Sequence, residues 1–499
     1  MKYCSTRDSA HLVTDAQAIV SGLAPDGGLY VPTDIPALTL ADIKSLCACS
    51  YAERAADIMA RFLPSFTYAE LLGFAQRAYA GDKFPPLAAP VVPLSDTAHI
   101  LELFHGPTCA FKDFALQMLP YLLTSSMRKT GVTDRVCILV ATSGDTGKAA
   151  LCGFADVAGA SICVFYPDGG VSNMQRLQMV TQSGKNVMVC AINGNFDDTQ
   201  NAVKRIFADT SFAASLKARD VRLSSANSIN WGRLVPQIAY YVSGYCELIN
   251  QGVVTPGDAI NACVPTGNFG DILAAWFAKR MGLPLKTLIC ASNSNNVLTD
   301  FLETGMYDRN RPFHYTTSPS MDILISSNLE RLLYLLSGSD TEVAGYMAQL
   351  ASDARYTVSP ALFDAIRKDF ACGFCGDAEA ASTIAATFRE GYLPDTHTAV
   401  ALNVYEAYKK RTGDLTQTLV VSTASPFKFP ASVLKALGQP VAGGDFQVLD
   451  RLSAIAGQPV PLQLDELRNK RERFSDTVPP EVIRIAVDRF VNAQLEGNA

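Results

Sequence analysis

The sequence predicts an α/β protein with open, mostly parallel sheets that are covered by helices on both faces. From residue 98 onward, short runs rich in Val, Ile and Cys alternate with helical patterns. Runs that are apolar throughout are typical of strands buried on both faces, and their alternation with helices is typical of parallel sheets. Charged residues make up only 18%, which also indicates large buried elements. We expect strands at 99–104, 136–142, 161–167, 186–192, 259–266, 285–292 and 417–423.

Length and charge exclude several classes of protein. The 499 residues suggest about three domains. The net charge of −6 argues against broad electrostatic affinity for nucleic acid. No apolar stretch approaches the ~20 residues that span a bilayer, and the N-terminal residues show no apolar leader segment. The 13 cysteines lie mostly in apolar runs, where they resemble small buried hydrophobic residues. We therefore expect a cytoplasmic protein.

The loop after the strand that ends at Val264 predicts a phosphate site, because ligands of open α/β sheets bind beyond the carboxyl ends of strands. Its sequence is PTGNFGD (265–271), and a helix follows at 272–280. Gly267 and Gly270 allow the backbone to approach a ligand, and the first N–H groups of the helix point towards the loop. The loop matches neither a Walker A motif nor a dinucleotide fingerprint. A glycine-rich turn without a ligand is the alternative.

A second anion site is predicted after the strand that ends at Thr142. The segment SGDTG (143–147) places two hydroxyls and two glycines at the start of a helix, which suits a phosphate or a carboxylate. A plain helix cap is the alternative, because Ser, Asp and Thr all cap helices well. Two such sites in one chain favour a phosphorylated or carboxylated ligand.

A reactive lysine is predicted in the segment HGPTCAFKDF (105–114). Lys112 lies at the start of a helix, between Phe111 and Phe114. Partial burial and the positive end of a helix both disfavour the ammonium form and lower the pKa of the amine. A neutral amine is what Schiff-base chemistry requires, while a solvent-exposed lysine is the alternative. At the last strand, Thr423 offers a hydroxyl that could bond to a ring nitrogen.

Taken together, these segments resemble those of threonine synthases, which are fold-type II pyridoxal-phosphate enzymes with a tryptophan synthase β-like architecture. FHGPTCAFKDF, ATSGDTG and PTGNFGD are similar to the lysine, substrate and cofactor-phosphate motifs of the family. SGLAPDGGLYVP, SSANSINWGRLVPQIAYY and STASPFKF are similar to further family segments. The six blocks stand in family order between residues 21 and 429. The resemblance implies the fold-type II architecture with an extra N-terminal domain.

The resemblance also implies roles for matching residues. Lys112 would be the catalytic residue and would hold the aldehyde of the cofactor, pyridoxal 5'-phosphate, as an imine. The implied cofactor-binding residues are Lys112, Gly267, Asn268, Phe269, Gly270, Asp271 and Thr423, the last facing the pyridine nitrogen. The implied substrate-binding residues are Ser143, Gly144, Asp145, Thr146, Ser225, Asn227, Ser228, Asn230 and Arg233. No metal site is expected.

The activity that the resemblance implies is the conversion of O-phospho-L-homoserine and water to L-threonine and phosphate. The substrate amine would displace Lys112, which would then remove the Cα proton. A further proton would leave Cβ, phosphate would leave from Cγ, and water would add at Cβ, with the cofactor storing the electrons. Thr423, in place of a carboxylate, would leave the ring nitrogen largely unprotonated and limit stray transamination. We expect no nucleic-acid, membrane or obligate protein partner.

Three other functions compete with this one. A phospho-lyase that releases 2-oxobutyrate, ammonia and phosphate would use the same site, and differs in whether water reaches Cβ before the product is released. A non-catalytic relative is disfavoured because Lys112 and both glycine loops are retained. A nicotinamide dehydrogenase is disfavoured because no strand is followed by G-x-G-x-x-G with an acidic residue about 20 positions further on.

The resemblance further implies four parts of the chain. They are an N-terminal domain at 1–95, a large cofactor-binding domain at 96–140 and 231–430, a smaller substrate domain at 141–230, and a helical extension of the large domain at 431–499.

Some residues depart from the family pattern or have no assigned role. Ser425 stands where the family usually has His. Lys148 stands where small residues are common, and we expect its amine to point outward. His397 is expected near the site without a firm chemical role. Cys372 and Cys375 form a lone CxxC, for which no redox or zinc function is expected.

Overall fold

The computed structural model describes residues 1–194 and 196–496, and its N-terminal part is helical around a two-stranded antiparallel ribbon. Each of its helices follows a Ser or Thr that accepts the N–H three residues on, while the side chain at that position bonds back to the cap. Trp231 packs against this part through Tyr3 and Phe62. The elements are β1 (Tyr3–Ser5), α1 (Asp15–Ser21), β2 (Tyr30–Pro32), α2 (Leu40–Leu46), α3 (Tyr51–Phe62) and α4 (Tyr68–Ala78).

The next part of the chain alternates strands and helices and ends in a long buried helix. Its elements are β3 (Val91–Pro93), β4 (Ala98–Glu102), α5 (Lys112–Leu116), α6 (Leu119–Lys129), β5 (Arg135–Ala141), α7 (Asp145–Phe154), β6 (Ala160–Pro167), α8 (Asn173–Val180), β7 (Val187–Ile192), α9 (Phe196–Ala208), α10 (Thr210–Lys217), β8 (Val221–Ser225) and α11 (Trp231–Asn250).

The last part continues this alternation and then becomes mostly helical. Its elements are β9 (Ile260–Pro265), α12 (Gly270–Met281), β10 (Leu285–Ser292), α13 (Val297–Thr304), β11 (Met306–Asp308), α14 (Leu329–Ser337), α15 (Asp340–Ser352), β12 (Arg355–Thr357), α16 (Pro360–Arg367), β13 (Phe370–Phe374), α17 (Asp377–Arg389), α18 (Thr396–Thr412), β14 (Thr418–Ser422), α19 (Pro430–Ala436), α20 (Asp445–Ala456), α21 (Leu462–Asp465), β15 (Thr477–Val478) and α22 (Ile483–Glu496). Short 3₁₀ turns lie at Pro319–Met321, Pro426–Lys428 and Glu466–Asn469.

Two sheets organise the described residues. The larger has the strand order β13-β10-β9-β14-β4-β3, and only β3 runs antiparallel to its neighbour. The smaller has the order β15-β7-β6-β5-β8, and all its neighbours are parallel. Strands such as β14 are buried along their whole length, which explains their continuous apolar sequence. The predicted α/β fold class is therefore confirmed.

All seven predicted strands are present, but four strands of these sheets were missed. They are β3, β8, β13 and β15, and each lies at an edge of its sheet. An edge strand is partly exposed and needs no continuous apolar run, so its sequence carries a weaker signal. β8, with the sequence VRLSS, is an example.

Two parts of the chain join the smaller sheet although the sequence places them with the large domain. Within residues 96–140, β5 is hydrogen-bonded between β6 and β8 of the smaller sheet. Within residues 431–499, β15 pairs with β7 and α22 packs on the smaller sheet, where Ile483, Val487 and Val491 join its core. We propose that the domain boundaries follow the two sheets.

The candidate site lies where loops from the carboxyl edges of the two sheets meet. The loops that follow β4, β9 and β14 leave the carboxyl edge of the larger sheet, and those that follow β5 and β8 leave the same edge of the smaller sheet. Residues from both sets of loops line one cavity. Within residues 1–194 and 196–496, every helix is too short or too polar to cross a bilayer.

Candidate active site

The loop that carries Lys112 is fastened to the end of β14. The Phe111 N–H donates to the Thr423 carbonyl at 2.8 Å. Within the loop, the carboxylate of Asp113 accepts the N–H and the hydroxyl of Thr108, at 2.8 and 2.7 Å. These bonds hold the first turn of α5 in a defined position, so the Lys112 side chain starts from a rigid base.

The amine of Lys112 is buried among polar groups. Its nitrogen lies 3.4 Å from the hydroxyl oxygen of Ser320 and 3.9 Å from the carboxylate of Asp145, and it stands 4.7 Å from the centre of the Phe111 ring. Burial lowers the pKa of the amine to about 8, although the Asp145 carboxylate opposes the shift. A substantial neutral fraction is therefore present near physiological pH, as nucleophilic chemistry requires.

A cavity lies in front of this amine. Ten residues singled out from the sequence line it, namely Lys112, Thr146, Ser228, Arg233, Gly267, Asn268, Phe269, Gly270, Asp271 and Thr423. Seven further residues line the cavity. His397 is expected near the site without a role, and the other six are not expected there, namely Phe111, Gln237, Pro265, Thr266, Ser320 and Met321.

The glycine loop after β9 packs closely against the 3₁₀ turn at Pro319–Met321. A Cβ at Gly267 would stand 2.9 Å from the Ser320 carbonyl oxygen, so a larger residue would displace one of the two chains. Phe269 adopts a left-handed conformation with φ 62°, immediately before α12 begins at Gly270. The first N–H groups of α12 have no partners within the helix, and together with the helix dipole they suit a phosphate.

Asp271 is held by two tyrosines at the wall of the cavity. One of its carboxylate oxygens accepts the hydroxyls of Tyr240 and Tyr241, at 2.5 and 2.6 Å, while the other has no partner among the described residues. Burial raises the pKa of this carboxyl to about 6, and the tyrosine hydrogen bonds oppose the shift. An unpartnered buried oxygen at a cavity wall is what a bound ligand would be expected to satisfy.

His397 holds the Ser320 segment in place. Its Nε2 accepts the Ser320 N–H at 3.1 Å, so the ring proton lies on Nδ1, which donates to the Asp395 carboxylate at 2.7 Å. Asp395 also caps α18. The sequence carried no signal for Ser320, since neither it nor its neighbours match a motif.

Arg233 supplies a positive charge to the cavity. Its side chain donates to the carbonyl of Ala226 at 2.9 Å and lies 3.5 Å from the Thr146 hydroxyl, while its Nε has no partner in the described structure. No carboxylate of the described residues lies within ion-pair distance of it. Burial lowers the pKa of the guanidinium to about 10, so it stays charged at neutral pH. The charge is free to meet an anion.

Six of the residues expected on the substrate side do not line the cavity, namely Ser143, Gly144, Asp145, Ser225, Asn227 and Asn230. Asn230 caps α11 by accepting the Gly232 N–H and donates to the carbonyl of Ile19, which ties α11 to the N-terminal part. Ser225 accepts the N–H of Asn227. These contacts tie Asn230, Ser225 and Asn227 to the backbone around them.

The residues that depart from the family pattern or have no assigned role make the following contacts. Lys148, expected to point outward, is half-buried and donates to Gln182 at 2.6 Å, because α7 packs against α8 there. Ser425 accepts the Phe427 N–H and caps the turn at Pro426–Lys428. Cys372 and Cys375 are buried free thiols.

Two mostly parallel sheets, a buried lysine with a lowered pKa, and a glycine loop at a helix N-terminus define the class of protein. The close approach at Gly267, the free N–H groups at the start of α12 and the Thr423 hydroxyl fit a phosphorylated, ring-containing group joined to Lys112. This is the site of a fold-type II enzyme that depends on pyridoxal phosphate.

Comparison with family models and known proteins specifies the family. Residues 99–424 match the model of pyridoxal-phosphate dependent enzymes, residues 2–79 that of the threonine synthase N terminus, and residues 398–486 that of the threonine synthase C-terminal region. The chain belongs to the threonine synthase family, whose cofactor is pyridoxal phosphate.

Individual relatives agree with this assignment. The chain is 40% identical to threonine synthase of Pseudomonas aeruginosa, over 89% of this chain and 92% of that protein. It is 40% identical to threonine synthase-like 1 of Homo sapiens over 87% of this chain, but spans only 59% of that relative's length. The crystal structure of pyridoxal-phosphate-bound threonine synthase from Brucella melitensis is 37% identical and covers 98% of this chain and 99% of that one, with a TM-score of 0.86.

Proposed function

We propose that this protein converts O-phospho-L-homoserine and water into L-threonine and phosphate. The observation that carries the proposal is the placement of Lys112 and Arg233 on one cavity that also contains the glycine loop. That arrangement offers one reactive amine and two separate positions for anions, which a phosphorylated substrate and a phosphorylated cofactor both require.

The residues that would hold the cofactor follow from their positions. Lys112 would form the covalent linkage, the loop from Gly267 to Asp271 would bind the phosphate, and Thr423 would face the ring nitrogen. The bound cofactor supplies an electron sink for the carbanions formed at the substrate. Phe111 and Met321 form part of the apolar wall beside it.

The substrate-side residues would orient the reaction. Arg233 would bind the substrate phosphate, and Thr146 and Ser228 would donate to an anionic group of the substrate. Lys112, once released, would take the proton from Cα. The same amine would then give up that proton and take one from Cβ, since one flexible side chain can reach both atoms. Phosphate would leave from Cγ beside Arg233. The residues that meet the substrate would be positioned by their neighbours in the same loops, namely Ser143, Gly144, Asp145, Ser225, Asn227 and Asn230.

The test is to incubate the purified protein with pyridoxal phosphate and O-phospho-L-homoserine, and to identify products by NMR. Threonine and phosphate in equal amounts, lost in Lys112→Ala, would support the proposal. 2-Oxobutyrate, ammonia and phosphate would instead define a phospho-lyase that uses the same site. No turnover by a protein that holds the cofactor on Lys112 would require a different substrate.

We propose a cytoplasmic location and no nucleic-acid or obligate protein partner. The net charge of −6 supports the absence of a nucleic-acid partner. The 13 cysteines, all free in the structure, support a reducing compartment. Subcellular fractionation of source cells tests the location, since recovery with an organelle would contradict it.

A further inference from the structure

Lys428 is a fully buried lysine beside the active site. It ends the short turn that follows β14, and none of its side-chain surface is exposed. Its amine lies 2.5 Å from an oxygen of the Asp145 carboxylate and donates to the Thr108 carbonyl at 3.0 Å. Burial of an ammonium group is costly unless an opposite charge compensates it. Asp145 provides that charge, so the two residues form one buried ion pair.

The other oxygen of Asp145 faces Lys112. This oxygen lies 3.9 Å from the Lys112 amine and accepts the Ser320 hydroxyl at 3.3 Å. The oxygen that meets Lys428 also accepts the amide of Gln175 at 2.8 Å. The carboxylate is only 2% exposed, and protein groups surround both of its oxygens. It therefore connects two lysines and is not open to the substrate.

We propose that Lys428 is a positioning residue for Lys112: it balances the charge of Asp145, so that this carboxylate orients the Lys112 amine without holding it in the charged form. The inference rests on the proposed function in one respect, namely that Lys112 carries the cofactor.

The charges around Lys112 show why the balance matters. Burial is the largest influence and lowers the pKa of the amine; Asp145 and Asp271 raise it, whereas Arg233 and Lys428 lower it. Without Lys428, Asp145 would be an uncompensated buried anion beside Lys112 and would stabilise the charged form. Without both members of the pair, burial and Arg233 would again dominate.

The same charges act on the nitrogen that would join Lys112 to the cofactor, because its protonated form also carries a positive charge. Its protonation changes the visible absorbance of the holoenzyme, which gives a readout that does not depend on turnover. We would titrate the absorbance against pH in the wild-type holoenzyme and in Lys428→Met, Asp145→Asn and the double variant. Methionine keeps the unbranched, flexible shape of lysine without the charge.

The variants should shift the pH midpoint in opposite directions. Lys428→Met should raise the midpoint by about one pH unit or more, Asp145→Asn should lower it, and the double variant should return close to the wild type. Lys148→Met is the matched control, because Lys148 is a half-buried lysine three residues after Asp145 whose amine meets Gln182 and not Asp145. Its midpoint should stay where it is in the wild type.

An unchanged midpoint in Lys428→Met with the cofactor bound would overturn the inference, as would an equal shift in Lys148→Met. If Lys428→Met does not fold, the comparison moves to Asp145→Asn and the double variant. The double variant lacks a cation that Asp145→Asn keeps, so its midpoint must be higher, and equal midpoints would overturn the inference. If the wild-type protein shows no absorbance of a Lys112-linked cofactor, the proposed function itself fails.

Discussion

The amine of Lys112 lies 3.4 Å from the hydroxyl of Ser320, a residue 208 positions further along the chain. Ser320 is held in turn by His397, and its carbonyl lies against Gly267 of the glycine loop. One short segment therefore contacts the reactive amine, the phosphate loop and a buried His–Asp pair. This segment closes one side of the cavity, and its position sets where a bound group must lie.

Lys112→Ala should abolish the covalent capture of pyridoxal phosphate and lower kcat/KM by about 10²–10⁴-fold or more, because both the linkage and the general base are lost. Absorbance, borohydride trapping with peptide mass spectrometry, and steady-state kinetics measure these effects. Lys129→Ala is the control, since the Lys129 amine pairs with Glu70 at the surface. A Lys112→Ala protein that retains activity within about tenfold would contradict the role.

The rate at which the apoprotein captures pyridoxal phosphate should depend on pH through Lys112. Its pKa of about 8 means that the amine is mostly protonated below pH 8 and mostly neutral above it, and only the neutral form can attack. The rate should therefore rise as pH increases towards 8 and then level off. An unperturbed lysine would continue to gain reactivity up to about pH 10.4.

Stopped-flow absorbance measures the capture rate, and a simple alkylamine studied in parallel corrects for the titration of pyridoxal phosphate itself. The rate of an ordinary amine would rise roughly tenfold between pH 9 and 10. A corrected rate for Lys112 that rises as much would show that burial does not perturb its pKa.

Arg233→Met should raise the KM for O-phospho-L-homoserine by about 10–100-fold, which corresponds to a charge-assisted hydrogen bond of about 1.5–3 kcal/mol. Inhibition by inorganic phosphate should weaken in parallel. Arg233→Lys should recover part of the loss, because it restores the charge but not the paired donors. Arg222→Met is the control: Arg222 pairs with Asp134 away from the cavity. An unchanged KM in Arg233→Met would remove Arg233 from the substrate site.

Gly267→Ala should weaken the binding of pyridoxal phosphate at least tenfold. The added Cβ would stand 2.9 Å from the Ser320 carbonyl oxygen, so either the phosphate loop or the Ser320 segment must move. Moving that segment would cost about 1–3 kcal/mol, as overpacking typically does. Equilibrium binding by fluorescence or absorbance measures the change. Gly81→Ala is the matched control, since a Cβ there meets nothing within 4 Å, and equal affinities in the two variants would refute the argument.

Thr423→Asp should increase transamination relative to the main reaction, because a carboxylate would favour a protonated ring nitrogen and a stronger electron sink. Thr423 lines the cavity at the end of β14 and is only 6% exposed. Accumulation of the pyridoxamine form and of a 2-oxo acid measures the effect. Thr423→Ser keeps the hydroxyl and should behave as the wild type does. A Thr423→Asp protein with unchanged product ratios would show that this residue does not control the ring nitrogen.

Most of the strand framework was predictable because a strand buried on both faces must be apolar along its length. β6 and β14 are examples, and both appear in the structure within one residue of their expected bounds. Edge strands such as β8 and β13 were not predictable, because one side of each has no neighbouring strand and the selection for apolar residues is relaxed. The domain boundaries that we propose from the two sheets could not be predicted for a related reason, since strand pairing joins residues far apart in sequence.

The residues of the site also fall into two groups, those predictable from local sequence and those brought together by folding. The Lys112 segment and the glycine loop from Gly267 to Gly270 were predictable from the amino-acid sequence, because both depend on local chemistry: a strand end, close backbone approach and a helix N-terminus. Only folding brings Ser320 to them, gives His397, which is expected near the site, its contact with the Ser320 N–H, and pairs Asp145 with Lys428. Those contacts are made between segments separated by tens to hundreds of residues, where the energy of burying and pairing charges depends on which groups folding brings together.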